Sequence, residues 1–395
     1  MCYLYFMPDA GWMADLSSSI RSLDELPPFL EPTAEERAFE KHAGAGPARA
    51  GGRGGGRHPG SNESEAAGRR LPLLVPPVVV ARLERAAEAA GGTLPADHPL
   101  RLQAIPTEAE LLPLPHELAD PLGEAGHSPL PRLVYRYADR ALLLVTDQCA
   151  LHCRHCFRSR FTGGGRGAIS RDELHEVAEY LARRPEISEL ILSGGDALLL
   201  PDAKLDEILR LTGRVRANLT FRVATRAPIV LPSRITAPLV RMLRSQAPLW
   251  VVTQVNHPDE LDEASGEALD RLVDGGVPVV NQTVLLSGVN DDAATLATLF
   301  RSLVARRVKP YYLFQGDLAP GTSRFRVNLE RAIEIAAELR RRLSGLAMPV
   351  LAVDIPGGGG KVRLEGSAYD GEDANGYRLI GLDGRVYHYP KEIKV

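Results

Sequence analysis

The chain is poor in the residues that staple small domains or span membranes. Only four of its 395 residues are cysteine, which excludes the disulfide framework of a small secreted domain. No apolar run is long enough to cross a bilayer, so no membrane span is expected. The stretch Met1 to Met13 lacks the basic region and apolar core of a signal peptide, and no secretory leader is expected there. Acidic and basic side chains nearly cancel, leaving a formal charge of -3 and a pI of about 6.4, so no global basic field recruits nucleic acid or an anionic membrane. What remains is 44% hydrophobic and 25% charged, ordinary for a globular chain of one large or two ordinary domains. So few cysteines place the natural setting in a reducing cytoplasm.

Three of those cysteines are gathered. Cys149, Cys153 and Cys156 stand in C-x-x-x-C-x-x-C spacing within the stretch from Val145 to Arg158, while Cys2 lies far upstream. A [4Fe–4S] cube normally takes four cysteine thiolates. With three in reach, one iron is left for the amino and carboxylate groups of an amino-acid-like ligand, and S-adenosylmethionine carries both. The rival readings are a zinc knuckle completed by His152 or His155, and plain buried cysteines. Zinc knuckles favour paired C-x-x-C ligands, which are missing here.

In chain order, residues 1–43 read as an N-terminal helical region, with Thr33 and Glu36 spaced as a capping box. Residues 44–70 are Gly-, Ala- and Arg-rich, too poor in apolar side chains to order themselves, and read as a flexible linker rather than an RNA-binding tract. Residues 71–133 are rich in proline, with one helical stretch from Val78 to Ala90, and are expected to drape over a core. From residue 134 to 361 the pattern becomes regular. Apolar strand-like runs at 141–146, 190–192, 221–224, 249–253, 277–285, 311–314 and 350–353 alternate with amphipathic helical stretches. Alternation at this spacing means parallel βα units. The fold class is therefore α/β, a partial or full TIM-type (βα) barrel with an N-terminal helical extension, the doubly wound sheet being second choice. Residues 362–395 form a C-terminal extension.

Polar residues recur where the strands end, the face on which α/β barrels place their chemistry. Ser193, Gly194, Gly195 and Asp196 follow the second strand, where glycines admit a ligand to the backbone and a carboxylate can accept from ribose or ammonium. Gly357 to Gly360 precede Lys361. A phosphate loop requires Ser or Thr after that lysine, but Val362 follows. A lysine at a glycine-rich strand end suits covalent attachment of pyridoxal phosphate, and Arg136, Tyr137 and Arg140 could hold its phosphate.

Together the motifs resemble the lysine 2,3-aminomutases. The resemblance runs from about Leu102 to Lys361 and rests on Arg136 to Arg140, the cysteine motif through Phe161, Ser193 to Leu198, Leu231 to Thr236, Asn256-His257-Pro258, Asn281-Gln282-Thr283, Gly288 to Asp291, and Asp354 to Lys361. It implies a radical S-adenosylmethionine enzyme that also uses pyridoxal 5′-phosphate, with the cluster on Cys149, Cys153 and Cys156. By motif, Lys361 carries the pyridoxal phosphate, contacted by Arg136, Tyr137 and Arg140. Gln282 and the turn Ser193, Gly194, Gly195 and Asp196 contact S-adenosylmethionine. Arg158 takes the substrate carboxylate, while Asp317 and Asp354 take the side-chain ammonium of lysine, an acidic pair that glutamate-using relatives do not keep.

The resemblance implies migration of the α-amino group of L-lysine to C3. Arginine or glutamate 2,3-aminomutase, an elongation factor P-linked lysine aminomutase, and a cluster-binding protein without catalysis are the competing readings. An electron donor such as flavodoxin or ferredoxin and a homo-oligomer are implied partners. Two positions depart from the family: Gln254 stands where it has histidine, and Ser287 where it has arginine. The further cysteines that bind an intersubunit zinc in the clostridial type are absent after Cys156, so zinc is not expected.

Overall fold

The computed structural model describes residues 10–43, 70–112, 114–216, 218–364, 369–373, 376–381 and 383–389. The linker expected at 44–70 lies outside these residues except for its last position, and Cys2 lies outside them too.

One nine-stranded sheet runs in strict chain order: Leu133–Tyr137 (β1), Arg140–Thr146 (β2), Glu189–Gly194 (β3), Thr220–Ala224 (β4), Leu249–Thr253 (β5), Val279–Val284 (β6), Lys309–Phe314 (β7), Val350–Ile355 (β8) and Gly360–Arg363 (β9). Strands β2 to β8 are parallel, and β1 and β9 pair antiparallel at the two edges. All seven apolar runs of the sequence became the parallel strands. Helical crossovers cover the outside. In Arg171–Ala182 the Ser170 hydroxyl accepts from the Glu173 N–H at 3.1 Å and the Glu173 carboxylate accepts from the Ser170 N–H at 2.9 Å, which fixes the helix start. The helix then buries Leu174, Val177, Ala178 and Leu181. Leu174 is fully buried, and its truncation to Ala would cost about 2–5 kcal/mol.

The two edge strands were not legible as strands. β1 turns into β2 through Ala138 and Asp139, with Tyr137 opposite Arg140. β8 turns into β9 through the glycine run, with Ile355 opposite Gly360 and Asp354 opposite Lys361. Gly357, Gly358 and Gly360 have φ of 72°, 89° and 87°, values that L side chains disfavour, so the glycines are a hairpin turn and Lys361 sits on a strand rather than a swinging loop. Asp354 likewise lies within β8 and not past its end. β1 and β9 do not pair with each other. Instead the Lys361 N–H donates to Tyr137 Oη at 3.0 Å and Arg136 donates to Asp354 Oδ1 at 2.9 Å, so side chains bring the two edges of a nearly closed barrel together.

Outside the barrel, Ala10–Ser17 and Ala34–Ala43 are helices, the second capped by Thr33 and Glu36. Glu36 also accepts from Arg101 at 2.7 Å in a buried ion pair, which fastens this extension to the short helix Pro99–Ala104. The proline-rich segment contributes the helix Pro77–Ala89, whose Arg82 donates to Asp262 at the start of the barrel helix Glu263–Asp274. A separate antiparallel sheet, Tyr369–Asp373 (β10), Gly376–Ile380 (β11) and Val386–Tyr389 (β12), occupies the C-terminal extension. Among the described residues no helix is long and apolar enough to cross a membrane.

Candidate active site

The barrel interior and its C-terminal mouth enclose a cavity of about 630 Å³. Every residue singled out from the sequence lines it: the three cysteines, Arg136, Tyr137, Arg140, Arg158, Ser193 to Asp196, Gln282, Asp317, Asp354 and Lys361.

At one end stand the thiols. Cys149, Cys153 and Cys156 are unpaired and partly accessible, on the loop after β2. Burial, then the neighbouring Cys153, pushes the Cys156 thiol up to about 11, and burial followed by Cys156 and Asp196 raises Cys149 well above its usual range. Such thiols stay protonated unless a metal centre displaces the proton. No three His, Cys, Asp or Glu side chains among the described residues are grouped for a single metal ion. The cysteines face one cavity rather than one point, an arrangement suited to a larger body whose metals each take one thiolate.

The glycines after β3 serve this loop. A Cβ on Gly194 would collide with the carbonyl oxygen of Thr146, and one on Gly195 with that of Gln148. Instead the N–H groups of Gly195 and Asp196 donate to those same two carbonyls at 2.7 Å each. Glycine is therefore required by the close approach of two backbone segments. Asp196 spends its carboxylate inside the protein, accepting from Thr225 Oγ1 at 2.6 Å, from the Arg226 N–H at 2.8 Å and from the Leu198 N–H at 3.0 Å.

Beside the cysteines, His155 Nε2 lies 3.0 Å from Gln254 Nε2 and 3.3 Å from Asn256 Nδ2. Two amide donors make this ring nitrogen the acceptor, which assigns the proton to Nδ1. Nδ1 is buried with no partner among the described residues. Burial, then Arg226, lowers the imidazole to about 3, so it is neutral. Gln254, the first departure, thus contacts His155, and Ser287, the second, donates to Asp291 at 3.2 Å.

Midway, Arg158 donates to Glu124 at 2.6 Å and to Ser193 Oγ at 3.1 Å. Arg160 also donates to Glu124, at 3.2 Å. Burial works against the Glu124 carboxylate, but the two guanidinium groups outweigh it and hold its pKa below the usual range.

At the far end Lys361 Nζ donates to Asp354 at 2.7 Å and stands over the Phe314 ring, 3.8 Å from its centroid. Burial lowers the lysine pKa against the opposing pull of Asp354 and Asp317. Burial, and then the charge of Asp354, lifts Asp317 to about 7. Arg136 bridges Asp354 and Tyr137, and these contacts raise its pKa despite burial. Arg140 stacks over Tyr137, its guanidinium 3.8 Å from the ring centroid. The cavity thus holds thiols, a caged arginine and an acid pair with an ammonium beside it.

Sequence reasoning placed Arg226 at a strand end without a role and missed Glu124, Glu260 and the aromatic floor of Tyr312 and Phe314. Their partners are remote in sequence, and only the Asn256-His257-Pro258 segment before Glu260 carried a local signal.

A family model described as the Radical SAM superfamily matches residues 143–299. L-lysine 2,3-aminomutase of Fusobacterium nucleatum subsp. nucleatum is 45% identical over 263 residues, 67% of this chain and 62% of that protein. L-lysine 2,3-aminomutase of Acetoanaerobium sticklandii is 41% identical over 291 residues, 74% of this chain and 70% of that protein. Glutamate 2,3-aminomutase of Clostridioides difficile is 38% identical over 266 residues, 67% of this chain and 63% of that protein. The chain therefore spans less than two thirds of the Fusobacterium and Clostridioides proteins and somewhat more of the Acetoanaerobium one. With cysteines, barrel and strand-end motifs gathered at one cavity, and this identity across most of its length, the chain belongs to the lysine 2,3-aminomutase family of the radical SAM superfamily.

Proposed function

We propose that the protein is an L-lysine 2,3-aminomutase, an isomerase that moves the α-amino group of L-lysine to C3 and gives β-lysine. The observation that carries this reading is the acid pair at the floor of the cavity: the ammonium of Lys361 lies 2.7 Å from Asp354 and is attracted by Asp317 as well. Two ionised carboxylates about 4 Å apart repel by about 4 kcal/mol at an effective dielectric near 20, and a cation between them removes that cost. The seat that accepts the chain's own ammonium suits the ammonium of a lysine substrate, and a glutamate side chain would add a third negative charge to it.

The groups that the family implies fit the residues present. Three thiols suit a [4Fe–4S] cluster with one iron left for S-adenosylmethionine, near Gln282 and the Ser193 to Asp196 turn. The buried lysine of lowered pKa, two arginines and a tyrosine suit pyridoxal 5′-phosphate. When bound, the cluster with S-adenosylmethionine supplies the radical that removes a substrate hydrogen, and pyridoxal phosphate supplies the conjugated system across which nitrogen migrates. The chain's residues do the positioning. Arg158 exchanges Glu124 for the substrate carboxylate, Asp317 and Asp354 hold the far end, and the enclosed cavity keeps water from the reacting carbons. A low-potential donor such as flavodoxin or ferredoxin, a cytoplasmic setting and a homo-oligomer complete the proposal.

The test is anaerobic reconstitution with iron, sulfide and pyridoxal phosphate, then a panel of amino acids with S-adenosylmethionine and dithionite. L-lysine should be converted to β-lysine, and Cys149→Ala, Cys153→Ala or Cys156→Ala should each abolish S-adenosylmethionine cleavage while Cys2→Ala does not. Equal turnover of lysine and glutamate would refute the substrate, and cleavage retained in Cys153→Ala would refute the cluster assignment.

A further inference from the structure

Arg226, two residues past the end of β4, points one arm at a cluster cysteine. Its Nη1 donates to Cys153 Sγ at 2.8 Å. Its Nη2 donates to Glu260 Oε2 at 2.6 Å and to Gln103 Oε1 at 2.9 Å. Glu260 is itself locked, because Oε1 accepts from the N–H groups of Asn256 and His257 at 2.9 Å each and from Gln103 Nε2 at 3.2 Å. Arg226 and Glu260 are 8% and 2% exposed, and the Arg226 N–H donates to Asp196 at 2.8 Å. Anchored at both ends, the guanidinium cannot pivot away from the sulfur. Cys149 and Cys156, in contrast, meet the neutral hydroxyl of Thr162. Cys156 also accepts from the Arg158 backbone N–H, whereas the Arg158 guanidinium acts on it only through space, its own N–H groups being on Glu124 and Ser193.

Resting on the reading of the three cysteines as cluster ligands, we propose that Arg226 is a positioning residue that sets the reduction potential of the cluster through its N–H···S bond to Cys153, and that Glu260 holds that bond in place and moderates its charge. Reduction adds negative charge that spreads over the cluster and its thiolates. A charged donor on one sulfur favours the reduced form and raises the potential. A buried carboxylate on the far side of the same guanidinium opposes it. The two residues therefore act in opposite directions on one observable, which a merely structural role would not produce.

The experiment uses the full chain, reconstituted anaerobically, with the reduced cluster followed by electron paramagnetic resonance during a redox titration. In Arg226→Met the midpoint should fall, so that at the wild-type midpoint the reduced-to-oxidised ratio drops roughly tenfold, about 59 mV for one electron. In Glu260→Gln the midpoint should rise. Midpoints that stay put or move in the same direction overturn the inference while leaving the cluster itself intact. Wild-type protein that takes up no iron overturns the reading of the cysteines and this inference with it. Should a variant fail to load, wild-type protein carrying arginine ¹⁵N-labelled only in the guanidinium decides the matter: electron–nuclear double resonance should show a ¹⁵N coupling to the reduced cluster, and its absence overturns the proposal.

Discussion

Asp354 and Lys361 face each other across the β8–β9 hairpin as register partners, and the Lys361 ammonium donates to the Asp354 carboxylate at 2.7 Å. One hairpin therefore carries both an ammonium and the acid that holds it, and the same acid takes Arg136 from the opposite edge of the barrel at 2.9 Å. Asp354 thus links Lys361, Arg136 and barrel closure.

The first prediction concerns that lysine. Borohydride treatment of protein loaded with pyridoxal phosphate should fix the label on Lys361, as read by peptide mass spectrometry. Lys309 is the informative control, because it too is partly buried with a lowered pKa but donates to the Met348 carbonyl and does not line the cavity. Label on Lys309 would mean that the glycine hairpin had been misassigned.

The second follows from Asp317. Burial and Asp354 raise its folded pKa to about 7, whereas an unfolded aspartate sits near 3.9. Between those values the folded chain holds a proton that the unfolded chain has lost. The contribution of this group is therefore fully present below about pH 4 and lost as pH rises through about 7. Urea denaturation of the unloaded protein should show wild type losing stability relative to Asp317→Asn from about pH 5 to pH 8. Parallel curves for the two proteins would rule out a protonated Asp317.

A third prediction tests the cage on Arg158. Glu124→Gln leaves the buried guanidinium of Arg158 and its neighbour Arg160 without their shared counter-charge. Breaking a buried pair from one side costs about 3–5 kcal/mol, so folding stability in urea should fall by about that much. Added L-lysine should restore part of the loss, because its carboxylate can take the vacated arm and ligand binding stabilises the native state. A loss unchanged by L-lysine would show that Arg158 does not receive the substrate.

The seven parallel strands were legible because each centres on a short apolar run between polar and glycine-rich ends, a pattern that depends on nearest neighbours alone. β1 and β9 were not. Arg136 and Lys361 interrupt their apolar patterns, and both strands are edges defined by the partner they meet. Cysteine spacing and the glycine-lysine run were readable because the residues concerned are adjacent in the chain. The roles of Glu124 and Arg226 were hidden because their partners lie 34 and 73 residues away, at Arg158 and Cys153. The packing reason for Gly194 and Gly195 was out of reach for the same cause: the carbonyls of Thr146 and Gln148 that demand them belong to the end of β2 and the loop after it.

The last prediction separates the two acids of the proposed substrate seat. Asp317 accepts no hydrogen bond from Lys361, whereas Asp354 holds Lys361 and Arg136 directly. Asp317→Asn should therefore weaken only the grip on the lysine side chain. Loss of one charge-assisted contact contributes roughly 1.5–3 kcal/mol, which corresponds to a fall in kcat/KM for L-lysine of roughly tenfold to a hundredfold. Pyridoxal phosphate binding, followed by absorbance, should be unchanged in that variant. Asp354→Asn should lower lysine turnover at least as far, and it should also weaken pyridoxal phosphate binding, because Arg136 and Lys361 lose their common carboxylate. Arginine as substrate supplies the control: its longer planar head demands a deeper pocket, so it should turn over more slowly than lysine in the wild type. Cofactor binding equally weakened in both variants would show that Asp317 serves the cofactor and not the substrate.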